Sequence, residues 1–484
     1  MKIQIQKILA LFFISLMIST YSFGNSLTIS NNTDFNLNGI WQGSLKISNV
    51  SLRIVFKVTQ DKNGSYSATM DSPDQGAKDI PVDSVIYNDG NVKFVVGAVR
   101  GYFEGKVDFD NSIIKGEWHQ SSMSLPLELK KIDKVEELKR PQEPKPPFPY
   151  NVEDVSYENK TAGIELAGTL TYPKSKEPFP AVLLITGSGP QNRDEELFGH
   201  KPFLVIADYL TRRGIAVLRV DDRGIGKSTG NFSTATTKDF ASDVLAGVEF
   251  LKSNENINPK EIGLIGHSEG GLIAPMVAVK SNDVAFIVLM AGPGLPGDQI
   301  LYKQVQLISR LGRIPEAKIK RSLALNKEMY NIIKESKDSS ETAAELHKVY
   351  NNYYNNLDEK EKTEMGDSNV FFNKELKTIM SPWFKFFISY DPVPTLEKVK
   401  CPVLALDGSK DVQVPPKEDL EAIKKALEEG GNKNFETLEL NGLNHLFQTA
   451  ETGSPSEYGK IEETLSPKAL KVIGDWILKV VRNN

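Results

Sequence analysis

The sequence predicts a largely parallel α/β domain that follows a small all-β domain. Residues 35–132 carry strand patterns divided by polar turns, and residues 151–484 carry continuous apolar strands that alternate with helical patterns. Apolar strands that alternate with helices are typical of a parallel sheet covered on both faces. A chain of 484 residues also exceeds one ordinary hydrophobic core, so we expect at least two domains.

The segment 35–132 is expected to form a meander of short strands. Apolar and polar residues alternate over residues 51–59, with Val55 as the exception, so one face of this strand is buried. Polar turn sequences then occur at residues 61–64, 88–91 and 108–112. Such spacing indicates a closed or folded meander. The Gly-Ile-Trp sequence at residues 39–41 resembles the start of lipocalin-like, or calycin, barrels; a buried structural tryptophan is the alternative interpretation.

A proline-rich linker at residues 133–150 separates the two predicted domains. Its prolines cluster at positions 141, 144, 146, 147 and 149. Such a segment is stiff and extended, and it cannot continue a helix or a central strand. The α/β domain is therefore expected to begin at residue 151.

Residues 1–24 are typical of a secretory signal peptide. Lysines provide positive charge, residues 8–18 form an apolar run too short to span a bilayer comfortably, and residues 22–24 provide a cleavage site. An uncleaved N-terminal anchor is the alternative. No other stretch is apolar enough to cross a membrane. Because Cys401 is the single cysteine, the sequence offers no lipid-attachment cysteine and no intrachain disulfide. We expect a secreted or periplasmic protein.

The charge of the chain argues against nucleic acid as a partner. The formal net charge is −5, which gives no basic footprint for nucleic acid or for an acidic membrane surface. We expect neither a metal nor another cofactor, and the sequence is silent on oligomeric state.

The Gly-His-Ser-Glu-Gly sequence at residues 266–270 is the first candidate for catalytic chemistry. In a nucleophile elbow, a serine between glycines occupies a sharp turn from a strand into a helix. Ser268 follows a short apolar strand and opens a helical pattern. Ser228 has the same Gly-x-Ser-x-Gly pattern but follows a polar turn, and Asp221 replaces the glycine that a phosphate loop would need. The sequence therefore predicts Ser268 as the nucleophile.

A serine nucleophile needs a base, and the sequence contains five histidines. In hydrolases with such an elbow, the acid and the histidine follow the serine along the chain, which leaves His347 and His445. His347 lies in a charged helical pattern and is expected at the surface. His445 lies in a loop directly after the strand-like residues 435–440. Because α/β sheets place functional groups in such loops, His445 is the predicted base.

The acid is expected in the loop after the strand at residues 403–406. Asp407 directly follows this strand, and Asp411 lies at the far end of the loop, before a Val-x-Val-Pro sequence. We favour Asp411, which can reach across to the histidine, over Asp407, whose other role is to cap the turn. Asp411 would hold the tautomer of His445 and stabilise its protonated form.

Two backbone N–H groups are expected to stabilise the oxyanion. One belongs to Glu269, which follows the nucleophile, and the other to the glycine-rich loop at residues 187–190. Ser188 is the preferred second donor and Gly189 the alternative. The side chain of Glu269 is expected to be solvated, because the oxyanion hole uses only its backbone.

Together, these pieces resemble the α/β-hydrolase superfamily over residues 155–481. Within it, the chain is similar to bacterial esterases and to prolyl-oligopeptidase-like and serine aminopeptidase-like hydrolases. The resemblance implies an α/β-hydrolase fold with a Ser-His-Asp triad. The family often has His-Gly at the oxyanion loop where this chain has Thr186 and Gly187. The matching pieces are residues 187–190, residues 222–228, residues 266–270 and the loops of Asp411 and His445.

The resemblance also implies a helical cap over the active site at about residues 295–390. This segment interrupts the sheet pattern with charged helices rich in aromatic residues. A cap excludes water and shapes the substrate pocket. Most of its aromatic side chains are expected to pack the core of the cap, and two or three to face substrate. They are Tyr302, Tyr330, Tyr350, Tyr353, Tyr354, Trp383, Phe384, Phe386 and Phe387.

The sequence thus predicts a secreted serine hydrolase that cleaves carboxylic esters through an acyl-enzyme. A peptidase or amidase on the same triad is the first alternative, with Arg193, Asp194, Glu195 or Glu269 available to bind a charged terminus. A non-catalytic ligand-binding protein is the second alternative, which the complete triad disfavours. The expected partner is a small-molecule ester or a short peptide.

Overall fold

The computed structural model describes residues 35–482, with gaps at 48–49, 76, 110–111, 121–122, 136–138, 176–177, 337 and 366–367. The signal peptide predicted at residues 1–24 lies outside the described residues. The chain divides into two compact units. One comprises Pro141–Glu196 and Lys201–Asn484, and the other comprises the described residues up to Arg140 together with Leu197–His200.

The N-terminal unit is a single antiparallel sheet, in the spatial order β4-β3-β2-β1-β9-β8-β7-β6-β5. Its first strand pairs with both the second and the ninth, while the fourth and fifth form the edges. The sheet is therefore a curled meander, which confirms the predicted small all-β domain. Its strands are β1 (Gly39–Ile47), β2 (Val50–Gln60), β3 (Tyr66–Ser72), β4 (Ala77–Pro81), β5 (Ser84–Asn88), β6 (Asn91–Val96), β7 (Gly101–Asp108), β8 (Ile113–Gln120) and β9 (Met123–Ile132).

Large aromatic side chains fill the inside of this curled sheet. Trp41 is fully buried, and its Nε1–H donates to the carbonyl oxygen of Leu37 at 2.8 Å. Phe56 stacks on Phe94 with ring centroids 4.3 Å apart, and Trp118 packs in the same cluster. Trp41 is thus a buried structural tryptophan.

The second unit contains a mostly parallel sheet in the order β10-β11-β13-β12-β14-β15-β16-β17. The first two strands pair antiparallel with their neighbours, and the pairs from β13 to β17 are parallel. This order confirms the predicted α/β-hydrolase fold. The strands are β10 (Asn151–Asn159), β11 (Ile164–Tyr172), β12 (Phe179–Ile185), β13 (Ala216–Val220), β14 (Ile257–His267), β15 (Val284–Met290), β16 (Val403–Gly408) and β17 (Phe435–Leu440).

Helices cover both faces of this sheet. The apolar side chains of α2, α3, α10 and α11 pack on one face, and those of α1 and α12 pack on the other. Among the described residues, none of these helices combines the length and the apolar character that crossing a membrane requires. The helices are α1 (Pro202–Thr211), α2 (Thr237–Ser253), α3 (Gly270–Ala278), α4 (Gly297–Leu311), α5 (Glu316–Glu335), α6 (Ser339–Asn355), α7 (Glu359–Met365), α8 (Ser368–Ile379), α9 (Pro382–Ser389), α10 (Val393–Leu396), α11 (Pro416–Glu429) and α12 (Pro467–Arg482).

Helices α4 to α9 form the predicted cap, between β15 and β16. Tyr330, Tyr350, Phe384 and Phe387 are buried in the core of the cap, and four more of its aromatic residues pack against that core. Phe386 instead packs against the hydrophobic core between the sheet and helices α2, α3, α10 and α11. The expectation that most of these aromatic side chains serve the core of the cap is confirmed.

Candidate active site

The chain turns sharply at Ser268, between β14 and α3. Ser268 has φ of 52°, in the left-handed region that strains a non-glycine residue, and it is the only member of the 266–270 motif that is not buried. A Cβ on Gly266 would lie 2.0 Å from the carbonyl oxygen of Gly270, and one on Gly270 would lie 2.3 Å from that of Ile185. Only glycine permits these close approaches, so the turn has the geometry of a nucleophile elbow.

Asp411 and His445 meet beyond the ends of two neighbouring parallel strands, β16 and β17. Nδ1 of His445 lies 2.6 Å from Oδ2 of Asp411, and both side chains are buried. The backbone N–H groups of Gln413 and Val414 donate to the other oxygen, Oδ1, at 2.7 and 2.9 Å. The carboxylate is therefore fixed on both sides and orients the imidazole ring.

Asp407, the alternative acid, lies beside Asp411 and is also buried. Its Oδ1 accepts the N–H of Gly408 at 2.7 Å, as expected for a residue that caps the turn. Burial raises the pKa of Asp407 well above 3.8, and the neighbouring charge of Asp411 raises it further. The raised pKa favours the protonated form of Asp407, and it is Asp411 whose carboxylate faces the histidine.

The loop after β12, residues 186–190, is named the oxyanion loop. A Cβ on Gly187 would lie 3.3 Å from Cβ of Ser268, so this loop passes directly beside the elbow. The N–H of Gly187 donates to Glu195 at 2.7 Å. Among the described residues, the N–H groups of Glu269, Ser188 and Gly189 have no acceptor. Glu269 and Ser188 are the predicted oxyanion donors and Gly189 is the alternative; all three amides are available to a ligand.

The side chain of Glu269 is buried, so the prediction that it would be solvated is wrong. Its Oε1 accepts from Thr237 Oγ1 at 2.7 Å and from Trp383 Nε1 at 2.8 Å, and the hydroxyl of Ser188 is a further partner. Burial raises the pKa of this carboxyl. Glu269 also lines a pocket beside the oxyanion loop together with Phe240. The carboxyl therefore connects the elbow to the cap, through Trp383.

His267 and Glu195 form a buried pair that no sequence pattern predicted. Nδ1 of His267 lies 2.9 Å from Oε1 of Glu195, and Nε2 lies 3.0 Å from the carbonyl oxygen of His445. The two side chains are 72 residues apart in sequence, so no local pattern connects them. The signal in the sequence was a histidine, His267, directly before the serine of the elbow motif.

The charged residues suggested for binding a substrate terminus are already engaged within the protein. Arg193 pairs with Asp221 at 2.8 Å, and Asp194 pairs with the buried Arg219. Glu195 pairs with His267. These three residues are therefore not the terminus-binding groups that the amidase alternative would use.

Ser228 has a structural role. It is buried, its Oγ donates to the carbonyl oxygen of Asp221 at 2.7 Å, and it accepts the N–H of Ala167 at 2.9 Å. No group of three or more His, Cys, Asp or Glu side chains suited to a metal ion occurs in the part of the chain that the structure describes.

The serine elbow, the oriented histidine and the unoccupied amides follow the carboxyl ends of the parallel strands, where α/β proteins bind ligands. A protein with this fold and site is a serine hydrolase. The family model of X-Pro dipeptidyl-peptidase (S15 family) matches residues 162–445, and the chain belongs to this family.

Individual relatives include esterases. Esterase EstD of Thermotoga maritima is 28% identical over 335 residues, which cover 69% of this chain and 70% of that protein. An uncharacterized 31.7 kDa protein of Escherichia coli is 25% identical over 48% of this chain and 74% of its own length. Among solved structures, the Pyrococcus furiosus esterase Pf2001 is 16% identical, covers 72% of this chain and 99% of its own, and gives a TM-score of 0.43.

Proposed function

We propose that the protein is a secreted carboxylic ester hydrolase that works through an acyl-enzyme on Ser268. The observation that carries this proposal is the 2.6 Å contact between Nδ1 of His445 and Oδ2 of Asp411. When Nδ1–H donates to the carboxylate, Nε2 is left as the nitrogen that can accept a serine proton. The similarity to an esterase, EstD, supports an ester as the substrate.

The proposed reaction uses the three triad side chains and two backbone amides. Ser268 Oγ attacks the ester carbonyl while His445 takes its proton, and Asp411 stabilises the resulting imidazolium. The N–H groups of Glu269 and Ser188 donate to the oxyanion; loss of one such donor typically costs ~10²–10³ in rate. His445 then protonates the leaving alcohol, and a water molecule, activated by the same histidine, releases the acid from Ser268.

A series of p-nitrophenyl esters of increasing acyl length tests this proposal. The wild-type protein should give a burst of p-nitrophenol on acetate or butyrate, followed by steady turnover, because these activated esters acylate Ser268 faster than water hydrolyses the acyl-enzyme. Ser268→Ala should show neither phase. Wild-type rates from Ser268→Ala would show that another residue is the nucleophile.

A peptidase is the second candidate, and the family supports it: the chain belongs to the X-Pro dipeptidyl-peptidase family. Against it, Arg193, Asp194 and Glu195 are already paired within the protein, which removes three candidate partners for a charged peptide terminus. We therefore expect ester turnover to exceed that of X-Pro-naphthylamides and aminoacyl-naphthylamides. Faster turnover of either amide would reverse the ranking.

Export is proposed from the amino-terminal sequence alone. Residues 1–24 combine positive charge, a short apolar run and a cleavage site. Expression in a bacterial host should yield mature protein outside the cytoplasm, with its first residue near 25 by mass spectrometry. A full-length chain that stays in the membrane fraction would indicate an uncleaved anchor.

A further inference from the structure

We propose that His267 and Glu195 are positioning residues: a buried ion pair that holds the oxyanion loop, the elbow and the loop of His445 together. In this pair, His267 carries a proton on both ring nitrogens. The kinetic consequences rest on the proposed function, whereas the protonation state of the ring does not.

Two side chains connect three separate loops. Oε1 of Glu195 accepts the N–H of Gly187, in the oxyanion loop, at 2.7 Å and lies 2.9 Å from Nδ1 of His267. His267 directly precedes Ser268, and its Nε2 lies 3.0 Å from the carbonyl oxygen of His445. The nucleophile, the base and one side of the predicted oxyanion hole are thereby fixed relative to one another.

The partners of the ring determine its protonation state. One nitrogen of His267 faces an oxygen of Glu195, which only accepts hydrogen bonds when the carboxyl is ionised, and the other faces a carbonyl oxygen, which only accepts. A neutral imidazole has one N–H, so it would leave a lone pair facing one of the two acceptors. His267 and Glu195 are both buried, where such a mismatch is costly. With Glu195 ionised, the geometry therefore favours the doubly protonated ring.

The surrounding charges favour the same state. Burial lowers the pKa of His267, but the charge and hydrogen bond of Glu195 raise it, and the backbone carbonyl of His445 and the charge of Asp411 add to the rise. The net result is a pKa above 6.5. The ring of His445 also faces this group, with centroids 5.0 Å apart. The pair makes its full contribution to the free energy of unfolding below about pH 6.5, which is the pKa of histidine in the unfolded chain. This contribution is lost as the pH rises through the higher pKa of the folded state.

Glu195→Gln separates this proposal from simple packing. If the glutamine oxygen stays in place, His267 loses its charged partner and its second proton. If the glutamine NH₂ group faces the ring instead, the N–H of Gly187 loses its acceptor. Because a displacement of about 1 Å can cost ~10²-fold in rate, kcat should fall on that order while KM changes little. In the pH profile of kcat, the limb that reports the titration of His267 should also move to lower pH.

The matched control is Glu196→Gln, one residue along the chain. Glu196 is exposed; within the described part of the chain its carboxylate accepts a single hydrogen bond, at 3.4 Å from Asn192, and its backbone N–H donates to the same side chain. This variant should keep the kcat and the pH profile of the wild type. Equal effects of the two substitutions would overturn the positioning role.

A second measurement works even if Glu195→Gln folds poorly. In ¹⁵N-histidine-labelled wild-type protein, His267→Gln identifies the signal of His267 among the five histidines. We expect this ring to be doubly protonated at pH 6 and to lose its second proton with a pKa above 6.5. A ring that is already neutral at pH 6 would overturn the proposal, whatever Ser268→Ala shows about the nucleophile. If Ser268→Ala stays active while His267 is doubly protonated, only the proposed function fails.

Discussion

Asp411→Asn is the sharpest perturbation of the proposed triad. The backbone N–H groups of Gln413 and Val414 hold Oδ1 of Asp411 at 2.7 and 2.9 Å, so the oxygen of an asparagine would stay on that side. Its NH₂ group would then replace Oδ2, which lies 2.6 Å from Nδ1 of His445. Nδ1 would have to accept this hydrogen bond, and Nε2 would carry the ring proton and could not take one from serine.

The expected loss follows from that change of tautomer. Removal of the orienting acid in a Ser-His-Asp hydrolase costs about 10⁴-fold in kcat, which corresponds to roughly 5 kcal/mol of transition-state stabilisation. The assay is steady-state hydrolysis of p-nitrophenyl acetate, with the unfolding transition measured in parallel. Asp411→Asn that folds normally and keeps kcat within about tenfold of the wild type would refute the assignment.

Asp407→Asn is the matched control for this experiment. Burial and the charge of Asp411 raise the pKa of Asp407 well above 3.8, which favours the protonated form of its carboxyl. An amide can replace a protonated carboxyl as both donor and acceptor, so kcat should stay within about fivefold of the wild type. A loss as large as that of Asp411→Asn would mean that Asp407 shares the orienting role.

Three further variants test other parts of the structure. Burial raises the pKa of Asp419 to about 7. The free energy of unfolding should therefore fall by on the order of 4 kcal/mol as the pH rises from 4 through 7, because the buried carboxyl must then ionise. Urea unfolding of Asp419→Asn should not show that loss. Gly266→Ala should destabilise by about 4 kcal/mol or more, since its Cβ would lie 2.0 Å from a carbonyl oxygen, and soluble yield and melting temperature measure this. Ser228→Ala should cost about 1–3 kcal/mol of stability, from two lost hydrogen bonds, with kcat unchanged.

Local sequence patterns were sufficient to predict many of the elements and to single out three residues of the proposed site, Ser268, Asp411 and His445. A short apolar run predicted the strand at residues 403–406, and residues 435–440 had a strand-like pattern; the structure has strands β16 and β17 at those positions. The chain order of serine, acid and histidine, with only five histidines present, led to His445. The sequence alone offered both Asp407 and Asp411 as the acid, because both lie in the loop after the same strand. Only the folded loop shows which carboxylate faces the ring of His445.

Contacts between distant segments could not be predicted in this way. Glu195 and His267 are 72 residues apart, and Glu269 and Trp383 are 114 residues apart. No sequence periodicity connects the partners of either pair, since each partner is an ordinary polar or aromatic residue within its own segment. The same reason explains the wrong prediction for Glu269: a glutamate in a glycine-rich turn appears solvated until the cap and α2 supply its hydrogen-bond partners.

Covalent labelling tests the central claim, that Ser268 is the nucleophile, most directly. A fluorophosphonate probe reacts with a serine only where a base and an oxyanion hole activate it. Intact mass and peptide mapping should show one adduct, on Ser268, in the wild type and in Ser228→Ala, and none in Ser268→Ala. An adduct that persists in Ser268→Ala, or a wild-type protein that folds but takes up no probe, would contradict the account.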